Sequence, residues 1–209
     1  MTDAQSHKSW YLRPGVLLLI AAVLFIGDGA LSVWLPYHRE QQVIAEVERL
    51  GGETTTRVFR PSWIPDAADD RYLWVFRRVS KVNLSNTQIS DASLAQLSSL
   101  TMLQGISLEG TRVNGASLVH LQELTSLVGL SLRNSQVSDS DLDQVGGLTN
   151  LVALSLENTQ VSDAGLEHLR GLTNLDGLFP NGTHVPEGGI ENLHKALPGC
   201  YIPRTPPTE

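Results

Sequence analysis

"LTNLVALSLENTQVSDAGLEHLRGLTNL", Leu148 to Leu175, begins and ends on the same four residues, 24 positions apart. The same step carried along the second part of the chain puts Val82, Ile106, Leu130, Leu154 and Leu178 in one slot. A second slot holds Leu84, Leu108, Leu132 and Leu156 and is broken by Pro180. Others hold Ile89, Val113, Val137, Val161, Val185; Leu94, Leu118, Leu142, Leu166, Ile190; and Leu97, Leu121, Val145, Leu169, Leu193. Within a unit, L-x-x-L-x-L alternates as a short strand does, while Leu94 and Leu97 sit three apart, as on one face of a helical or 3₁₀ turn. Each unit therefore reads as strand, corner, short helix and return. No unit can bury its apolar side alone, so neighbours must stack into one continuous core. The expected fold is an α/β solenoid of about five units over 79–202, with a short N-terminal α+β cap and one preceding transmembrane helix.

On these residues the array resembles the leucine-rich repeat, with Thr or Ser where many such families place Asn. It is most similar to bacterial repeat proteins bearing "T-x-V-[ST]-D-A-G-L-x-x-L", and less closely to the repeats of eukaryotic F-box adaptors. The resemblance implies a protein-binding or scaffold role in the bacterial cell envelope, with no defined chemistry. An F-box-like adaptor serving a modifying enzyme is the alternative. Against it, no F-box-like helical module precedes the repeats, and a membrane-directed segment stands there instead.

The stretch "TQVSDAGLEHL", Thr159 to Leu169, gathers side chains that a hydrolase or a metal site would use. Chemistry is needed once, whereas architecture is needed in every unit, so a catalytic residue should break the repeat. These residues do not. Asp163 has counterparts at Asp91 and Asp139, each preceding a helical turn, and together with Ser90, Ser138 and Ser162 is expected to accept hydrogen bonds from unpaired backbone N–H groups. Thr159 repeats as Thr87, Thr111, Ser135 and Thr183, a hydroxyl column at the corner expected to serve backbone groups between adjacent turns. His168 and His120 share a slot with Gln96, Gln144 and Asn192, an exposed polar position without a third metal ligand. No Gly-rich phosphate loop or nucleophile motif lies elsewhere. The expectation is no enzyme, no metal, no cofactor and no small-molecule substrate.

Binding is expected on the concave face, at Lys81, Asn83, Ser107, Glu109, Ser131, Arg133, Ser155, Glu157 and Phe179. Small residues dominate there. Strands stack about 4.8 Å apart, so Glu109, Arg133 and Glu157 should line up with alternating charge, running toward Phe179. Phe179 and Pro180 break the pattern and are the most informative deviants in the array.

The net charge of -7 is unevenly placed. Met1 to Arg78 carries nine basic and nine acidic residues; Val79 to Ile202 carries five and twelve. An acidic repeat surface repels phosphate backbones, which argues against nucleic acid. Cys200 is the single cysteine, so no internal disulfide can form, and cap packing is its expected role. Asn83 and Asn181 match the glycosylation acceptor pattern, which has little meaning in a bacterial protein.

Ahead of the repeats, "GVLLLIAAVLFIGDGALSVWLPY" has thirteen uncharged residues before Asp28 and nine after it. Trp10 and Tyr11 stand at one end, Trp34 and Tyr37 at the other, and the residues between would span roughly 33 Å as a helix. That is membrane-anchor geometry with aromatic belts. A cleaved signal peptide is the competing reading, with "ALS" at Ala30 to Ser32 as the cleavage motif. The organisation is thus a tail over 1–14, a transmembrane helix or signal anchor over 15–37 and a stem helix with N-terminal cap over 38–78. The repeat domain over 79–202 and a disordered tail over 203–209 complete it. The stem helix is expected in "HREQQVIAEVERLGG", ending at Gly51, and "RYLWVFRRV" is expected to cover the open end of the repeat core. The repeat domain is expected on the exported side, or secreted or periplasmic after cleavage.

Overall fold

The computed structural model of the chain describes residues 28–62, 64, 69 and 73–203. The tail 1–14, residues 15–27 of the expected membrane segment, Trp63, Tyr72 and residues 204–209 lie outside the described residues. The chain forms two compact units, one from 1–42 and 56–78, the other from 43–55 and 79–209.

The larger unit is built from the 24-residue slots. Strands β1 (Glu53–Val58), β2 (Arg77–Asn83), β3 (Gly105–Ser107), β4 (Gly129–Ser131), β5 (Ala153–Ser155) and β6 (Gly177–Phe179) form one sheet in sequence order. From β2 onward the pairing is parallel and the register is the repeat itself: Val82 faces Ile106, then Leu130, Leu154 and Leu178. Between strands run α2 (Asp91–Leu97), α3 (Gly115–Leu118), α4 (Leu142–Gly146) and α5 (Asp163–Leu166), and α6 (Glu187–Ala196) follows β6. The leucine and valine slots are buried in one continuous core from Val43 to Cys200.

The strands are short because each coil must turn after three or so paired residues. The turn is made by a left-handed backbone at Asn86, Gly110, Asn134, Asn158 and Gly182, with φ of 58°, 66°, 54°, 54° and 73°. Only Gly and Asn occupy this slot, the residue types that enter that region at least cost. The strand ladder extends across the corner: the N–H of Leu132 donates to Ser155 O at 2.9 Å, and that of Asn134 to Glu157 O at 2.8 Å. The hydroxyl column does a different job from the one expected. Thr87, Thr111, Ser135, Thr159 and Thr183 each donate to the carbonyl three residues earlier in their own coil, at 2.6 to 2.7 Å. The hydroxyl thus stays within its own turn because the inter-coil bonds there are already made by backbone.

Both ends of this core are closed. At the N-terminal end, Val43 and Val47 of α1 (Asp28–Arg49) pack into it, with Ile44 and Leu50 partly buried. Gly51 takes φ 82°, the left-handed C-cap conformation read from the sequence. Gly52 has no room for a side chain: a Cβ would lie 2.6 Å from Asn83 O and 2.9 Å from Leu84 and Val47. At the other end, α6 contributes Leu193, followed by Leu197 and Cys200. Leu178 N donates to Tyr201 O at 3.0 Å, so a last partial coil is in register, and Ile202 packs in the Val82-type slot. Pro180 is buried in the Leu84 slot and lacks the N–H that every earlier coil donates onward. Burial raises the Cys200 thiol pKa, which fits a packing role.

The expectation for "RYLWVFRRV" is met only in part: Val79 joins the repeat core. Leu73 and Phe76 do not join the repeat core; they form a separate cluster with Ile64, against Val58. An amphipathic stripe already supplied by α1 leaves these aromatics to the smaller unit. There, Phe59 N donates to Phe76 O at 3.0 Å, and buried Glu40 pairs with Arg78 at 3.6 Å. The helix α1 also runs unbroken through the expected boundary between membrane segment and stem at residue 37, with Pro36 inside it. Among the described residues no helix is long and apolar enough to cross a membrane.

Candidate protein-binding face

Side chains alternate across strands β2 to β6, so the residues flanking the buried column point outward in parallel columns. Lys81, Gly105, Gly129, Ala153 and Gly177 form one; Asn83, Ser107, Ser131, Ser155 and Phe179 form the next. The face is low in relief. The Lys81 stem lies along Gly105, and the Phe179 ring lies over Gly177, 3.4 Å from where a Cβ would stand. Ser85 and Ser107 share a hydroxyl hydrogen bond of 2.9 Å, and Asn83 Oδ1 accepts from Ser85 N at 3.0 Å.

Beside the serine column, Arg133 sits between two carboxylates. Its Nη1 lies 2.9 Å from Glu157 Oε2, and its Nε lies 3.4 Å from Glu109 Oε1. Arg133 remains about half exposed, so the row is worth little to stability, of order a few tenths of a kcal/mol per pair. Its importance is as a pattern of charge. Two left-handed corner residues, Asn134 and Asn158, join this row, as does Asn181, which follows Glu157 in the same slot. Asn134 donates to Glu109 Oε1 at 3.3 Å, Asn181 to Glu157 Oε1 at 3.3 Å, and Asn158 to Asn134 Oδ1 at 2.9 Å. The sequence reading had passed over the corner asparagines. Their signal was the slot that holds nothing but Asn and Gly.

The expected capping is divided between the serines and the aspartates. The N-caps are Ser90, Asn114 and Ser162, whose side chains accept from Ser93 N, from Ala116 N and Ser117 N, and from Ala164 N. Asp91, Asp139 and Asp163 are each the first helical or 3₁₀ residue. A carboxylate there is directed at the next coil. Asp91 accepts from Ser117 Oγ, and Asp139 accepts from Ser162 N at 2.7 Å and Ser162 Oγ at 2.6 Å. In the coil that has Gly115 at this position the arrangement inverts: Asp141 accepts from Gly115 N at 2.7 Å. Asp163 faces Gly189, where a Cβ would come within 2.8 Å of its own Cβ. Each interface between coils thus sets one acidic residue against one small one.

Burial pushes the Asp139 carboxyl up, but the Ser162 hydroxyl and N–H, the Gly165 N–H and the charge of His168 hold it below its ordinary range. These bonds join one coil to the next. His168 is exposed, its Nδ1 3.7 Å from Asp143 Oδ1. Among the described residues no buried side-chain nitrogen or oxygen lacks a hydrogen-bond partner, and no group of three His, Cys, Asp or Glu could hold a metal ion.

Coils of strand, left-handed corner and short helix around a leucine interior define a leucine-rich-repeat-like fold. No family description and no curated protein matches the sequence. Among solved structures the chain is similar to a leucine-rich-repeat protein of Leptospira interrogans, with TM-score 0.42 and 24% identity over 53% of this chain and 27% of that one. It is similar to an internalin of Listeria monocytogenes with TM-score 0.41 and 23% identity, over 52% of this chain and 44% of that one. The leucine-rich-repeat ectodomain of a receptor kinase from Arabidopsis thaliana gives TM-score 0.45 and 16% identity, over 79% of this chain and 95% of that one. The chain spans less than half the length of the first two.

Proposed function

We propose that this chain is a non-catalytic, membrane-anchored binding or scaffold protein of the cell envelope, with the repeat solenoid on the exported side. Its partner is a protein, held on the concave face. The observation that supports this most is the outward sheet face itself. Gly, Ala and Ser in its first two columns leave backbone and small polar groups accessible, beside the Glu109, Arg133, Glu157 row and under a single aromatic at Phe179. Low relief favours a broad macromolecular contact over a small molecule, which needs a concave pocket. An aromatic and an arginine are the residue types that most often carry such contacts.

Anchoring rests on the apolar run over 15–37, interrupted by one charge at Asp28, and on its aromatic ends. Ala30, Leu31 and Ser32, the alternative cleavage motif, fall inside α1 rather than in an extended stretch, which favours retention over release. The test is affinity capture with the detergent-solubilised full chain, beside a variant carrying Arg133→Glu and Phe179→Ala. Partners that bind the parent and are lost from the variant support the reading. The same partners captured by both would rule this face out.

A further inference from the structure

Gly29 to Tyr37 contains no charged residue, and Arg39 and Glu40 follow at once. Tyr37 therefore marks the level at which α1 passes from uncharged to charged sequence. A distant part of the chain arrives at that level. Trp74 places its ring centroid 5.3 Å from that of Tyr37, edge to face at 74°, and His38 lies edge-on to Tyr37 at 5.7 Å. The turn Trp74–Phe76 could have buried this indole with its neighbours, since Leu73 and Phe76 are both in the small core. Instead Trp74 is 54% exposed, and Leu35 on α1 is 40% exposed. Exposed Arg39, Arg57 and Arg77 lie close in sequence or in strand to these rings, whereas the acidic excess of the protein falls in the repeats.

We infer that Tyr37 and Trp74 together form a headgroup-level aromatic anchor, seated in the interface of the same bilayer that holds the preceding apolar segment. This rests on the anchoring reading above. Tyr and Trp favour that layer because one edge of the ring system is apolar and the other donates hydrogen bonds to water and headgroups. Nearby guanidinium groups are the complement of anionic lipid. The contribution of Trp74 is to add a second attachment, from the folded unit rather than from the helix, at the depth where the helix emerges.

The experiment uses the full chain with Trp10, Trp34 and Trp63 changed to Phe, so that Trp74 is the sole tryptophan. The protein is reconstituted in phosphatidylcholine and phosphatidylglycerol vesicles carrying a nitroxide either near the headgroup or near the acyl-chain end. Flotation with the vesicles and at least about twofold stronger quenching by the shallow nitroxide are expected. In the otherwise unaltered chain, Trp74→Phe should remove the same shallow-quenched component while flotation persists. Floating protein whose Trp74 emission is unaffected by either nitroxide overturns the anchor but leaves membrane attachment standing. Failure to float overturns both.

Discussion

Ser93 Oγ donates to Glu46 Oε1 at 2.9 Å, so Glu46 on α1 stands to the first coil as Asp91 stands to Ser117 in the second. The covering helix supplies the acidic partner that a preceding coil would have supplied. Glu46 is also gripped by Arg49 at 2.7 Å. The Arg49 and Ser93 hydrogen bonds lower its pKa from 4.5 to about 2.

A depressed carboxyl stabilises the fold above its unfolded pKa and loses that contribution as pH falls through its folded pKa. For Glu46 the window runs from the ordinary carboxylate range down to about 2. Asp139 is shifted in the same direction, by its bonds to Ser162 and Gly165. Glu46→Gln and Asp139→Asn should each be less stable than the parent at neutral pH. The gap should narrow on acidification, as followed by urea titration at a series of pH values. A gap constant down to the acid limit would contradict the assignment.

The acid-against-small pairing predicts a swap. Gly165→Asp sets a second carboxylate against Asp139, whose Oδ1 occupies the space a Cβ would need, and should cost roughly 1 to 3 kcal/mol. Adding Asp139→Gly recreates the Gly115 and Asp141 arrangement of the preceding interface and should recover at least half of the loss. Denaturation of the two single variants and the double variant closes the cycle.

At the corner, Asn134→Ala loses the bonds to Glu109 and Asn158 and replaces Asn with a residue that enters the left-handed region at greater cost, for a loss of about 1 to 2 kcal/mol. Asn134→Gly should be milder than Asn134→Ala, although glycine is the more flexible residue elsewhere. Thermal unfolding midpoints in that order support the corner geometry; the reverse order would count against it.

Thr159 is buried, and its hydroxyl donates to Leu156 O at 2.7 Å. Thr159→Val keeps the shape and leaves that carbonyl one donor short, for a loss of about 1 to 2 kcal/mol. Thr159→Ser, which retains the hydroxyl as Ser135 does in the preceding coil, should fall between the two in chemical denaturation.

The apolar slots made the coils legible, since Leu84 and its successors leave one register in which every leucine is inward. The polar slots were harder to read because Ser and Asp sit side by side before each helix and either can cap one. Which of them does so depends on the neighbouring coil: Asp139 is drawn across to Ser162, and that contact spans 23 residues. The cover of the open end was ambiguous for a similar reason. Val43 and Val47 form an amphipathic stripe that specifies an apolar partner without naming it, while the aromatics near Leu73 were the more conspicuous candidates. The columns of the candidate face were readable from alternation alone. Strand spacing predicts the Arg133 row, but its link to Asn134 and Asn158 depends on the corner conformation.

Arg133 between Glu109 and Glu157 gives the array a second period, because charge alternates from coil to coil while the backbone repeats in every one. Within this row a one-coil copy sets like beside like: a copy of 148–171 would put Glu157 next to its duplicate. A two-coil copy of 124–171 restores the alternation but sets Asp163 against a second Asp141. A copy of 100–147 satisfies both, since Asp139 then meets Ser117 as Asp91 already does. Pro180 withholds a donor at the far end, so between Glu109 and Glu157 the array keeps both patterns only when it lengthens by the coil pair 100–147.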